Sequence, residues 1–170
     1  FVTYLQANGT KEAPHEHVAS DWEVVTEATT DADGLKARKC SVCGETLEEK
    51  VIPRVLTFAS KTLGLKSNIA LIFRIDPVYL TKHGYTNLSV VFNFNNKEYV
   101  VTDYTVNASG LYEYRFSDAG PHQMLDNVTA VIKAEFEGEV YTSEPLVYSI
   151  ATYCYTQINA LQSYPQMAKL

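Results

Sequence analysis

No long run of lysine and arginine occurs in this chain, and no stretch of about 18 apolar residues occurs in its 170 positions. The first absence, with a net charge of −6, argues against a nucleic-acid partner. The second leaves no segment able to span a membrane as a helix. There are only three cysteines, an odd number, so any pairing leaves one over. Cys154, between Tyr153 and Tyr155, has no Ser/His/Asp order or Cys/His pairing around it, and reads as a small buried hydrophobe. Charged residues reach only 20% while apolar ones reach 46%, enough for a real core, so the composition is not that of a disordered chain. The chain opens on Phe1 without an apolar leader and reads as a fragment or mature form of something longer.

What the sequence does contain is Cys40-Ser-Val-Cys43-Gly44, with His15-Glu-His17 upstream. Two thiolates three residues apart on a tight knuckle can hold one metal ion, and two imidazoles close a tetrahedron, the geometry of structural zinc. Gly44 permits the positive-φ turn that wraps such an ion. The histidines precede the cysteines, the reverse of the usual zinc-finger order. A Cys40–Cys43 disulfide and two free thiols are the competing readings. Asp31-Ala-Asp33-Gly34 resembles the start of a calcium loop, but Val42 stands where the closing glutamate belongs, so it reads as a turn. Sequons occur at Asn8, Asn87, Asn107 and Asn127.

Two modules are expected to meet near Pro53. Residues 14–54 are charge-rich and poor in large apolar groups. Strands are expected at Trp22–Ala28, Leu35–Cys40 and Thr46–Ile52, with Trp22 as the one large core residue. Such a three-stranded, zinc-ribbon-like unit is too small to be stable without a staple, and a metal would supply it.

Residues 55–165 carry strand after strand. Leu56–Ser60, Ser67–Ile75, Asn87–Phe94, Glu98–Val106, Leu111–Phe116, Val128–Phe136 and Val140–Thr142 alternate with turn signals, and Leu146–Ile150 continues the last strand. The spacing predicts an Ig-like antiparallel β-sandwich. Ile69, Leu71, Phe73, Val91, Val101, Tyr114, Val131 and Phe136 are expected to face inward. Pro77–Gly84 reads as one helical turn, Pro121–Asp126 as a compact turn, and Ser149–Leu161 as a C-terminal helix capped by Ser149, with Ile150, Tyr153, Cys154, Ile158 and Leu161 on one side.

The first module resembles a repeat of very large secreted and surface proteins of gut Firmicutes. The resemblance lies in His17, Trp22, Glu27-Ala28-Thr29, Asp33-Gly34-Leu35-Lys36, Cys40-Ser-Val-Cys-Gly-Glu-Thr46 and Ile52-Pro53. Relatives often carry a further cysteine where this chain has Thr30, which makes His15 the substitute ligand. The second part is similar to another module of those proteins through Tyr85-Thr-Asn, Val101–Val106, Ala119–Met124 and Tyr148–Tyr155. The resemblance implies an extracellular or cell-surface, multidomain bacterial host and no defined activity.

The expected function is therefore a non-catalytic structural or adhesion module, partnered by neighbouring domains of the same polypeptide. The alternative is a carbohydrate-binding module that uses an exposed aromatic face for a glycan or host surface ligand. Tyr112, Tyr114 and Phe116 share such a face, but tyrosine in a strand more often packs than binds. An enzyme is not expected: His83 and His122 have no carboxylate pair at a defined spacing, and a four-ligand metal offers no open position.

Overall fold

A computed structural model of the chain describes residues 15–65 and 68–162, with side chains to Ala160 beyond the gap. Asn8, Pro14, Ser67, the side chain of Leu161 and residues 163–165, all named above, lie outside the described residues. The protein is mainly β, with three antiparallel sheets and a C-terminal helix. The chain divides between Arg54 and Val55 into two compact units.

In the first unit β1 (Glu23–Thr26), β2 (Gly34–Lys39) and β3 (Thr46–Ile52) form one sheet in that order. The β1–β2 connection is a side-chain-closed turn: Thr29 Oγ1 accepts from the amides of Ala32 and Asp31, at 2.9 and 3.2 Å. Asp33 accepts from the Arg54 amide at 3.1 Å, which ties the end of the unit back to this turn. Gly34 is sterically required, because a Cβ there would lie 2.5 Å from the backbone of Ala28 and Thr26.

Trp22 is not a core residue. It is half-buried, and three cationic side chains stand over its ring. Arg38, Lys50 and Lys36 stand 5.0, 5.3 and 5.7 Å from its ring. Of the described residues in this unit's strands, Gly34 and Ala37 are fully buried, so the sheet has almost no hydrophobic interior of its own.

In the second unit β4 (Ser60–Leu65), β5 (Ile69–Ile75), β9 (Tyr112–Phe116) and β8 (Thr105–Val106) form one sheet, in the order β4-β5-β9-β8. The other sheet runs β11-β10-β6-β7, from β6 (Thr86–Phe94), β7 (Lys97–Val101), β10 (Val128–Phe136) and β11 (Glu139–Thr142). β12 (Leu146–Tyr148) also pairs with β10. This is the strand order of an immunoglobulin-like sandwich with one added strand beside the third.

Both tight hairpins take two left-handed residues, as type I′ turns require. These are Asn95 and Asn96 (φ 48° and 62°) and Glu137 and Gly138 (φ 49° and 81°). α1 (Pro77–Lys82) starts at Asp76, whose carboxylate accepts from the Val78 amide at 2.9 Å. α2 (Ile150–Gln162) starts at Ser149, whose hydroxyl accepts from the Thr152 amide at 3.1 Å. Ile150, Tyr153 and Cys154 pack this helix on the sandwich core, while Ile158 is half exposed. Pro121–Gln123 is a single 3₁₀ turn.

Period-two alternation sets the core. Leu71, Phe73 and Ile75 of β5 point in, together with Tyr114 and Phe116 of β9. Val90, Phe92 and Phe94 of β6 meet them, and Phe73 and Phe92 place their ring centroids 5.2 Å apart. Ile69, Val101 and Phe136 pack on this core partly buried.

Several expectations need correction. Val91 and Val131 pair with one another on the face of the sheet opposite Phe92 and Ile132; Val131 is half-buried there, while Val91 is buried as expected, at 2% exposed, but from that other side. In both strands every residue from the alternation Val90/Phe92 and Ala130/Ile132 goes inward instead. A continuous valine run is ambiguous in phase, and the larger Phe92 and Phe94 decided it. Leu56–Ser60 is not a strand; Leu56 and Phe58 drop into the core from an irregular lead-in, and pairing begins only at Ser60. The stretch Glu98–Val106 is two strands in two sheets, with Thr102–Tyr104 crossing between them. Leu146 does rejoin β10, but after a break at Ser143–Pro145.

Candidate metal centre

The site is built by a knuckle after β2. Cys40 bridges to Ala19, and its amide donates to the Glu45 carbonyl at 2.7 Å. The Gly44 amide donates back to the Cys40 carbonyl at 2.9 Å, and Gly44 has φ 74°, the left-handed value foreseen for it. A second segment is held alongside: the Ser41 amide donates to the Val18 carbonyl at 2.9 Å, and the Ser20 amide to the Lys39 carbonyl at 2.8 Å. That ladder carries His15 and His17 back across a long sequence gap to the knuckle.

The structure brings all four expected residues together. The ligand atoms of His15, His17, Cys40 and Cys43 lie within 4.8 Å of one another. His15 Nε2 is 3.4 Å from Cys40 Sγ, and His17 Nδ1 is 3.6 Å from Cys43 Sγ. A tetrahedral zinc with ordinary Zn–S and Zn–N bonds holds sulfur and nitrogen ligands about 3.6 Å apart. The two imidazoles meet edge-on, with centroids 4.9 Å apart, so neither ring blocks the other's nitrogen. Cys40 and Cys43 are free thiols and not a disulfide. Cys40 is buried, while Cys43 and His15 are half-buried and His17 exposed.

The electrostatics favour a thiolate. Hydrogen bonding from the Cys43 amide is the main cause that lowers the Cys40 thiol from 9.0 to about 5. Burial works in the other direction, and the Val42 amide and the two histidines add to the lowering. The Val42 amide points at Cys40 Sγ from 3.5 Å. A cysteine that is already ionised at neutral pH needs no proton displaced when a cation binds. Among the described residues this is the one group of three or more His, Cys, Asp or Glu side chains arranged for a metal.

Sequence reasoning did not assign Glu45. Its carboxylate lies 3.5 Å from Nε2 of His17, the nitrogen that faces away from the thiolate. A carboxylate in that place fixes the tautomer of a metal-binding histidine. The signal was present as an acidic residue directly after Cys43-Gly44. The other two histidines belong to the second unit: His122 is exposed on the 3₁₀ turn, and the His83 ring lies tilted 5.1 Å from that of Tyr79. Asp31-Ala-Asp33 is the turn described above, and Val42 is exposed on the knuckle. Thr30 is exposed and no member of the cluster.

The aromatic face of β9 also has a place. Tyr114 and Phe116 are 0% and 3% exposed and belong to the sandwich core, so they offer no surface to a sugar ring, while Tyr112 is half-buried and stacks on Tyr104 with ring centroids 3.9 Å apart. No known protein family, curated protein or solved structure matches this chain.

Proposed function

We propose that this chain is a non-catalytic structural or adhesion module of a larger bacterial cell-surface or secreted protein, its first unit clamped by one structural zinc ion. The observation that carries the reading is the four-ligand cluster of His15, His17, Cys40 and Cys43. Two thiolates and two imidazoles are a zinc set, and four protein ligands close the tetrahedron, leaving no position for an activated water. The sheet of the first unit buries little of its own, so a metal is its natural source of stability. The second unit spends its length on strands and short turns, with Tyr85, Tyr114 and Tyr148 buried in its core. The similarity to repeat modules of large surface proteins agrees with a spacer that presents neighbouring domains.

The test is elemental analysis of the purified chain, followed by chelation. One zinc per chain, whose removal unfolds the first unit while the second stays folded, is the expected outcome. No metal, with Cys40 and Cys43 joined in a disulfide, would overturn the zinc reading. Turnover of a glycan or peptide by the isolated chain, lost on His122→Ala or Asp118→Asn, would overturn the non-catalytic one.

A further inference from the structure

The outer face of the β4-β5-β9-β8 sheet is recessed. A hollow of about 740 Å³ lies there, floored by Ile72 and Gly64 and walled by Val106. Its polar groups are Arg74, Arg115, Glu113, Thr105, Asn68 and Asn107. A smaller hollow of about 270 Å³ adjoins it, sharing Thr105, Glu113 and Arg115 and adding Asp103 and Tyr104.

The two arginines do different things. Arg74 is satisfied: its Nε donates to Glu113 Oε1 at 2.8 Å, and both side chains are largely withdrawn from solvent. Arg115 stands two residues along the same strand as Glu113, on the same face, opposite Ile72. Its guanidinium rests against the open backbone of Gly64, where an added Cβ would come within 3.1 Å of it. Glu113 is engaged by Arg74, and among the described residues no carboxylate pairs with Arg115. A half-buried guanidinium without a counter-ion, set in a concave polar surface, is a fork waiting for a carboxylate.

The surroundings narrow the ligand. Among the described residues the larger hollow has one excess positive charge, from Arg74 and Arg115 against Glu113, on a chain of net charge −6. Asp103, at the edge, repels a second negative charge, which disfavours a phosphate or sulfate dianion. A carboxylate already paired, a free aspartate, a threonine and two asparagines accept or donate hydrogen bonds to hydroxyls. Ile72 and Val106 suit the C–H face of a ring, and Tyr104, 44% exposed, borders the same surface.

We propose that this recess binds a sugar acid, a monoanionic pyranose of the uronic type, with its carboxylate on Arg115. This goes beyond the structural role above and does not depend on the metal.

The experiment is a titration of the full zinc-loaded chain, followed by the backbone amides of Arg115, Thr105 and Asn68 in NMR spectra. The probes are galacturonate, galactose, acetate and a short glutamate-rich peptide. Galacturonate is expected to move these amides with a dissociation constant on the order of 1 mM, and the other three to bind at least about tenfold more weakly. Arg115→Gln is expected to lose at least about tenfold in galacturonate affinity, and Arg115→Lys to keep part of it, since it retains charge without the fork. The preference among probes is read on the unaltered protein, so a misfolded variant cannot mask the answer. Absent shifts, equal binding of galactose or acetate, preference for the peptide, or an unchanged Arg115→Gln variant would each overturn the assignment.

Discussion

The imidazole of His17 is shared between Glu45 and Cys43: its Nε2 lies 3.5 Å from the Glu45 carboxylate while its Nδ1 faces Cys43 Sγ at 3.6 Å. Such a carboxylate holds the ring at one angle and in one tautomer, and increases the basicity of the nitrogen that meets the ion. Glu45→Gln should therefore weaken zinc binding by about tenfold and leave the number of ions bound unchanged. Competition with a chromophoric chelator measures this. An affinity equal to that of the unaltered chain would mean that the pair is only a surface contact.

Cys40→Ser should have a local effect. Serine does not replace a thiolate ligand for zinc, and the first unit has few buried apolar groups to fall back on. The second unit keeps its own core around Phe73, Phe92 and Tyr114. The variant should lose the dispersed amide resonances of β2 and β3 and keep those of β5, β6 and β10. Chelating the unaltered chain should give the same spectrum.

The core of the second unit is anchored by Phe73, which is 0% exposed and touches the rings of Phe58, Phe92 and Tyr148. Phe73→Ala should cost about 3–5 kcal/mol, read from urea unfolding of the second unit. Val131→Thr, at a half-buried position on the opposite face of its sheet, should cost under about 1 kcal/mol, because threonine keeps the β-branched shape that suits a strand. The contrast tests the inward and outward assignment directly.

Much of this architecture was legible because it rests on short-range signals. The grouping of His15, His17, Cys40 and Cys43 could be read from CxxCG and HxH, since few arrangements of these residue types make chemical sense. Pro77 at a helix start, Ser149 and the two hairpin turns showed in the sequence because each is a local hydrogen-bond or φ requirement. The failures were long-range. Nothing within Glu98–Val106 marks Thr102–Tyr104 as a crossover, because both halves alternate correctly and only the sheet they join differs. The valine run Val90-Val91 has no phase of its own, and Phe92 set it through partners on other strands. The free charge of Arg115 was invisible, since it depends on Arg74 having taken Glu113.

Alkaline pH should destabilise the second unit. Burial, then the hydrogen bond to Glu139 and the nearby negative charges, pushes the Tyr141 phenol up to about 12. Burial likewise raises Tyr148 and, beyond the ordinary alkaline range, Tyr114; Tyr112 is raised by its bond to Tyr104. An unfolded tyrosine ionises near pH 10. A raised folded value means the contribution is fully present below about pH 10 and is lost as pH climbs through about 12. Tyrosinate absorbance should show Tyr112, Tyr114, Tyr141 and Tyr148 ionising above the ordinary range, with part of the change appearing only as the fold is lost. A single titration at the ordinary value, with the fold intact, would contradict this.

The break between β11 and β12 gives a last prediction. Lys133 pairs with Thr142 and Ala130 with Leu146, so the two segments run on β10 with registers offset by one residue. Ser143-Glu144-Pro145 absorbs that offset as a bulge, where Pro145 has no amide to give. Ser143 repairs the ladder: its amide donates to the Ile132 carbonyl at 3.0 Å, and its hydroxyl accepts from the Ile132 amide at 2.9 Å. The same hydroxyl donates to the Glu144 carbonyl at 2.9 Å, which holds the bulge closed. Ile132 is 0% exposed, so water cannot take over its amide once the hydroxyl is gone. Ser143→Ala should therefore cost about 1–3 kcal/mol, the desolvation penalty of an orphaned buried donor. Glu144→Ala, which keeps the carbonyl and removes only an exposed side chain, should be nearly neutral. Hydrogen exchange locates the effect: protection of the Ile132 amide should fall more than that of its strand neighbours. Equal loss along all of β10 would show that the serine matters only to global stability, and the bulge repair would be wrong.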